Sequence, residues 1–116
     1  MFYELRSYDI APDKVDEYLN WADTRALPIL IGQFGFRVVG FWRVVPKTGE
    51  DLPPTNVHWM IAWESEEEMN ERRAAARAST EYRAVMQDAT DASGNLIYHL
   101  QRQSTLLKGV HRSPFQ

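Results

Sequence analysis

The chain has no cysteine. That absence removes disulfide frameworks, thiol nucleophiles, thiolate zinc sites and cysteine-ligated iron–sulfur clusters, and it fits a cytoplasmic protein. Basic charge is not in surplus either: 13 Lys and Arg stand against 16 Asp and Glu, for a formal net charge of −3. No general attraction to nucleic acid or to an anionic membrane follows from such a balance. Long apolar runs are missing as well. The opening "MFYELRSYDI" carries Glu4 and Arg6 within an alternating pattern, so it has neither the apolar centre of a signal peptide nor the length of a membrane span. The six glycines are scattered and form no phosphate or dinucleotide fingerprint, and there is no nucleophile elbow. The three histidines make neither HxH nor HExxH, so no metal site is expected. A haem needs only one axial histidine, but no attachment motif accompanies it. The expectation is a protein without cofactor or metal.

What is present is a sequence of 116 residues, enough for one domain built as a sheet with a single helix layer. Residues 2 to 9 alternate as a strand does. Pro12 and Asp13 then suit the start of a helix, and Val15, Tyr18, Leu19, Ala22, Ala26, Leu27 and Leu30 recur at steps of three and four. Pro28 conflicts with an unbroken helix and predicts a kink there. "FRVVGFWRVV" and "NVHWMIAWE" are the second and third strands, joined by the proline-containing excursion "PKTGEDLPPT". Ser65 with Glu68 three residues later forms a capping box for a helix to about Arg77, and Ser79 or Thr80 caps a further helical piece. "DASGN" is a turn, and the last strand is expected from about Leu96 to Thr105. Residues 1–105 are thus one domain and 106–116 an irregular tail. The order βαββαβ, with right-handed crossovers, predicts a ferredoxin-like α+β fold: a four-stranded antiparallel sheet with both helices on one face.

Strand parity divides the sheet into two faces. Tyr3, Leu5, Val38, Gly40, Trp42, Val44, Trp59, Ile61, Trp63, Tyr98 and Leu100 form an apolar set expected beneath the helices, with Gly40 admitting a helix closely. Phe2, Glu4, Arg6, Tyr8, Arg37, Val39, Phe41, Arg43, His58, Met60, Ala62, Ile97, His99 and Gln101 fall on the opposite face. A helix layer cannot cover both faces, and the apolar members of the second set would form an exposed patch if they met only water. A second copy of the chain is the economical cover, and its partly polar lining implies a ligand-sized space.

"MFYELRSYDIAPDKVDEYL", "FGFRVVGFW", "HWMIAWESEEE" and the closing "SPF" together resemble the NIPSNAP family over nearly the whole chain. The resemblance implies a dimeric alpha-beta barrel made by two such sheets. Many members begin the third-strand motif with histidine. That position falls on Trp59 here, and His58 stands one place earlier on the other face, so no family role passes to His58. Pro12–Asp13 replaces the family's usual proline–glycine. Most members have no assigned reaction, and proteins sharing the barrel include cofactor-free oxygenases, decarboxylases, isomerases and haem enzymes. Fold analogy permits these activities without selecting among them.

The residues themselves nominate a polar cavity lined by Glu4, Arg6, Tyr8, Arg37, Arg43, His58, His99 and Gln101. A carboxylate beside histidine would supply an acid or base, and a semi-buried arginine would hold a carboxylate or enolate. The plainer account makes Glu4 and Arg6 an ion pair and the histidines hydrogen-bonded structural residues. Core packing explains the four tryptophans better than an aromatic substrate box does, and solvation explains Arg72, Arg73 and Arg77 on the second helix. Two functions follow: a cofactor-free enzyme that abstracts a proton from a small aromatic or enolisable substrate, or a non-catalytic ligand-binding or scaffold homodimer.

Overall fold

The computed structural model describes residues 1–51 and 53–110, with only the backbone described for His99 and Gln101. Strand β1 spans Phe2–Ile10, followed by a 3-10 turn at Pro12–Lys14 and helix α1 at Val15–Trp21. A π-helical turn, Ala22–Ala26, leads into α2 at Leu27–Gly32. Strands β2 (Arg37–Arg43) and β3 (Val57–Trp63), helices α3 (Glu66–Ala78) and α4 (Thr80–Gln87) and strand β4 (His99–Leu107) complete the order. The last strand ends two residues beyond the sequence-based expectation. Of the tail, residues 111–116 lie outside the described residues.

Local chemistry accounts for most of the boundaries. Ser65 accepts a hydrogen bond from the Glu68 amide at 3.0 Å, and Ser79 accepts one from the Tyr82 amide at 3.2 Å, so each serine satisfies an amide that the helix start leaves free. The conflict at Pro28 is resolved without a break. A proline clashes with the carbonyl four residues back, here Thr24, and that carbonyl belongs to the π turn, where the ladder is already widened. At the end of β1 the Asn56 amide imitates a strand: it accepts from the Ile10 amide at 2.9 Å and donates to the Ile10 carbonyl at 2.8 Å.

The four strands form an antiparallel sheet in the order β2-β3-β1-β4, with the helices on one face. The expected barrel is overturned. The sheet is open, with β2 and β4 as its two edges and no pairing between them. Four strands are about half the eight that close the narrow side-chain-filled barrels. The described fold is therefore an open ferredoxin-like sheet, not a dimeric alpha-beta barrel.

The pairing register also reverses the assignment of β1. Glu4 lies opposite Ile61, Arg6 opposite Trp59 and Tyr8 opposite Val57, and residues directly opposite share a face. Glu4, Arg6 and Tyr8 thus lie beneath the helices with the apolar residues of β3, while Tyr3, Leu5 and Ser7 face outward with His58, Met60 and Ala62. In β2 a bulge between Val38 and Gly40 shifts the register by one residue. Val38 and Phe41 therefore both face the helices, and Gly40 and Trp42 face outward. No helix approaches Gly40. A Cβ there would overlap the Trp42 indole, which folds back along the outer face.

The core joins Ile10, Tyr18, Leu30, Phe36, Val57, Trp59, Ile61 and Trp63, among others, in one cluster. Tyr18 sits 6.1 Å from Tyr8 and 5.7 Å from Tyr98, ring centre to ring centre, and Phe36 packs edge-on against Trp63 at 5.0 Å. The turn into β2 depends on Gly35, whose φ is 67°, a conformation that disfavours any side chain. The Arg72 guanidinium fills the space a Cβ would need while donating to the Phe34 carbonyl at 2.9 Å. We expect Gly35→Ala to lower stability by about 1–2 kcal/mol, measured from the urea midpoint at unchanged slope. A midpoint equal to that of the parent would mean the turn relaxes into another conformation.

Candidate functional site

The inverted parity of β1 buries a carboxylate. Glu4 has 0% of its surface exposed and accepts from donors on four elements: the Trp63 indole at 3.1 Å, Arg6 Nε at 3.1 Å, Ser104 Oγ at 2.7 Å and Arg73 Nη2. Burial by itself would raise its pKa. The charges of Arg6 and Arg73 and the Ser104 and Arg6 hydrogen bonds outweigh burial and hold the carboxyl below its ordinary range. Arg6 in turn lies 4.6 Å above the Trp59 ring, a cation–π contact. Burial disfavours its charge, but Tyr8 and then Glu4 more than compensate and its pKa is raised.

Above this cluster the sheet and helices separate. A cavity of about 370 Å³ is lined by Glu4, Arg6 and Tyr8 of β1, Arg73 and Arg77 of α3, and Arg102 and Ser104 of β4, with Leu30, Phe36 and Tyr82 among its apolar walls. A smaller recess of about 60 Å³ shares Arg6, Tyr8, Leu30, Tyr82 and Arg102 with it and continues between Tyr18, Trp21, Phe41, Trp59 and Met86. Burial, reinforced by Tyr8, pushes the Tyr18 hydroxyl far above the usual phenol value. Burial also raises Tyr82, against the opposing charges of Arg6, Arg102 and Arg77. Both phenols are neutral donors at physiological pH.

Of the residues nominated by sequence, Glu4, Arg6 and Tyr8 meet in this cavity. Arg43 also lies on the helix-covered face, but its guanidinium pairs with Asp16 of α1. Arg37 lies opposite Ala62 at the outer face and pairs with Glu68 at the start of α3. His58 is on the outer face, 3.0 Å from Ser7 Oγ and 3.3 Å from Thr55 Oγ1 through its two ring nitrogens. His99 is opposite Ile10 and Gln101 opposite Asp9, at the far end of β4 from Glu4, which is opposite Leu106. The side chains of His99 and Gln101 lie outside the description. Arg73, Arg77 and Arg102 complete the lining. The solvated surface expected for Arg73 and Arg77 is not what the structure shows: their spacing of four places them on one side of α3, and buried Ala76 between them marks that side as facing inward. Arg102 carries no signal in the sequence.

Among the described residues no group of three or more His, Asp or Glu is placed to hold a metal. The cavity can instead bind negative charge: four guanidinium groups line it, and its one carboxylate is saturated. Glu4 is thus a framework residue. Its lowered pKa contributes stability that is present above the unfolded glutamate pKa of about 4.3 and is lost as pH falls through the lower folded value. We expect Glu4→Gln to cost about 3–5 kcal/mol at pH 7, because it leaves Arg6 and Arg73 without their counter-charge. The loss of stability on acidification should also be shallower in the variant. Equal slopes below pH 5 in variant and parent, followed by chemical denaturation, would remove Glu4 from this role.

The comparisons with known proteins agree with the architecture. A NIPSNAP family protein from Agrobacterium tumefaciens superposes with a TM-score of 0.80 at 21% identity, covering 99% of this chain and 98% of the other. An uncharacterised NIPSNAP domain protein from Burkholderia xenovorans does so at 0.76 and 22% identity, covering 98% and 99%. More distantly, an antibiotic biosynthesis monooxygenase reaches 0.56 at 14% identity, covering 95% and 99%. No curated protein matches the sequence significantly. The NIPSNAP family pattern, however, matches residues 3–110, and the chain belongs to the NIPSNAP family.

Proposed function

We propose that the cavity between sheet and helices binds a small aromatic or otherwise enolisable molecule and stabilises its anion, in the manner of a cofactor-free enzyme of proton-abstraction chemistry. The observation that carries this reading is the imbalance of the lining: Arg6, Arg73, Arg77 and Arg102 surround one carboxylate that is already fully engaged. A phenolate or enolate entering such a space gains charge-assisted hydrogen bonds in a site partly shielded from water, and the aromatic recess beside it suits a planar body. The shared fold with an antibiotic biosynthesis monooxygenase is compatible with this reading and selects no reaction. Among the described lining residues there is no free carboxylate or imidazole to take the proton. That observation favours a second reading, binding without turnover.

Two measurements separate the readings. Bound 2-nitrophenol, followed by its phenolate absorbance, should ionise about one pKa unit lower than in buffer, and Arg6→Gln should remove most of that shift. An unshifted titration at saturating protein would exclude anion stabilisation. Deuterium uptake at the central carbon of acetylacetone, followed by NMR, should be faster with protein than with buffer alone. Equal rates would leave binding and remove catalysis.

We also propose that a second copy of the chain covers the outer sheet face, where Trp42 is 47% exposed on the same face as Leu5 and Met60. Light scattering should give a dimer mass at micromolar concentration, and Met60→Glu should shift it toward monomer. A monomer mass for the parent protein would dismiss this cover.

A further inference from the structure

The four guanidinium groups of the cavity are not equivalent. Arg6 and Arg73 are both held by Glu4, at 20% and 23% side-chain exposure. Arg77, in the last turn of α3, and Arg102, on edge strand β4, have no ion-pair or hydrogen-bond partner among the described residues, and both are exposed. They are nevertheless neighbours electrostatically: each acts on the Tyr82 hydroxyl, and each lines the larger cavity. The inner pair and Glu4 together carry one net positive charge, and the outer pair carries two more. A ligand with a single enolate answers only the inner charge.

We infer that Arg77 and Arg102 form a clamp at the cavity mouth for a permanent carboxylate on the ligand, separate from the group that ionises within. The substrate class is then an enolisable or phenolic carboxylic acid. Its carboxylate lies between α3 and β4, and its aromatic or apolar body points toward Tyr18, Phe41 and Trp59 in the recess. Two partnerless guanidinium groups on different elements of one opening suit a carboxylate because each presents paired N–H donors. Both guanidinium groups are exposed, so that end of the ligand stays in contact with water. This assignment rests on the anion-binding reading of the cavity and adds the position and kind of the second charge.

The test compares 2-nitrophenol with 4-hydroxy-3-nitrobenzoate, the same chromophore bearing a carboxylate, by absorbance titration at low and constant ionic strength. The carboxylate should tighten binding about tenfold, the contribution of one charge-assisted contact. Arg77→Gln and Arg102→Gln should each remove most of that gain, read within each variant as the ratio of the two probes' affinities. Both side chains are exposed, so unchanged melting temperatures are expected and serve as the folding control. Equal affinity of the two probes, or a gain that survives both substitutions, would overturn the clamp while leaving the anion-binding reading intact. Failure of both probes to bind at millimolar concentration would overturn both. Inorganic phosphate displacing the carboxylate probe about tenfold better than acetate would overturn the carboxylate in favour of a phosphoryl group.

Discussion

Burying one carboxylate organises the whole domain. Placed alone in a protein interior, Glu4 would cost several kcal/mol or take up a proton. It stays ionised because donors arrive from β1, β3, β4 and α3 at once. Each donor is fixed by the element that carries it, so the carboxylate enforces the order in which those elements meet. Trp63 joins the third strand to it, Ser104 the last strand and Arg73 the helix packed above. An apolar residue at position 4 would satisfy the sheet pattern more simply, but it would leave Arg73 and Arg6 facing each other without a counter-charge.

That choice has a cost in packing. Guanidinium groups so close to one another cannot interdigitate as aliphatic side chains do, and the space above them stays open at about 370 Å³ instead of closing to the density of a protein interior. On the other side of Arg6 the aromatic cluster around Tyr18 and Trp21 packs ring against ring and leaves only the small recess. The larger, charged opening and the smaller, aromatic recess meet at Arg6, which stacks on Trp59. The same charges that hold the fold together define the chemistry its interior can accept.

Element order, helix caps and the antiparallel sheet were legible in the sequence because each rests on local rules: alternation, three-and-four spacing and serine capping. Faces were not. Parity arguments assume that polar residues point outward, and in β1 this fails because Glu4 and Arg6 satisfy each other inside. In β2 the bulge at Val39 reverses parity midway; Gly40 inside the strand pattern is the local signal for it, but a glycine there is equally consistent with close packing of a helix. Of the candidate site, the half contributed by β1 was visible as an unusual charged pair on a strand. The half contributed by α3 and β4 was not, since Arg77 and Arg102 acquire meaning only from the pairing that brings β4 beside β1. The barrel implied by family resemblance was lost for a different reason: closure is a property of how strands meet, and here the outer strands do not.

The π-helical turn at Ala22–Ala26 sets the rotational phase of everything after it. A π turn is an α-helix carrying one surplus residue, and each residue of an α-helix turns the chain by about 100°. Removing one residue from this turn would swing Leu27 and Leu30 away from the aromatic recess and the cavity that they line, and would bring Pro28 against a regular ladder. The surplus residue therefore acts as an angular spacer: it lets a single helix, without breaking, present aromatic side chains to one end of the sheet and aliphatic ones to the rim of the opening.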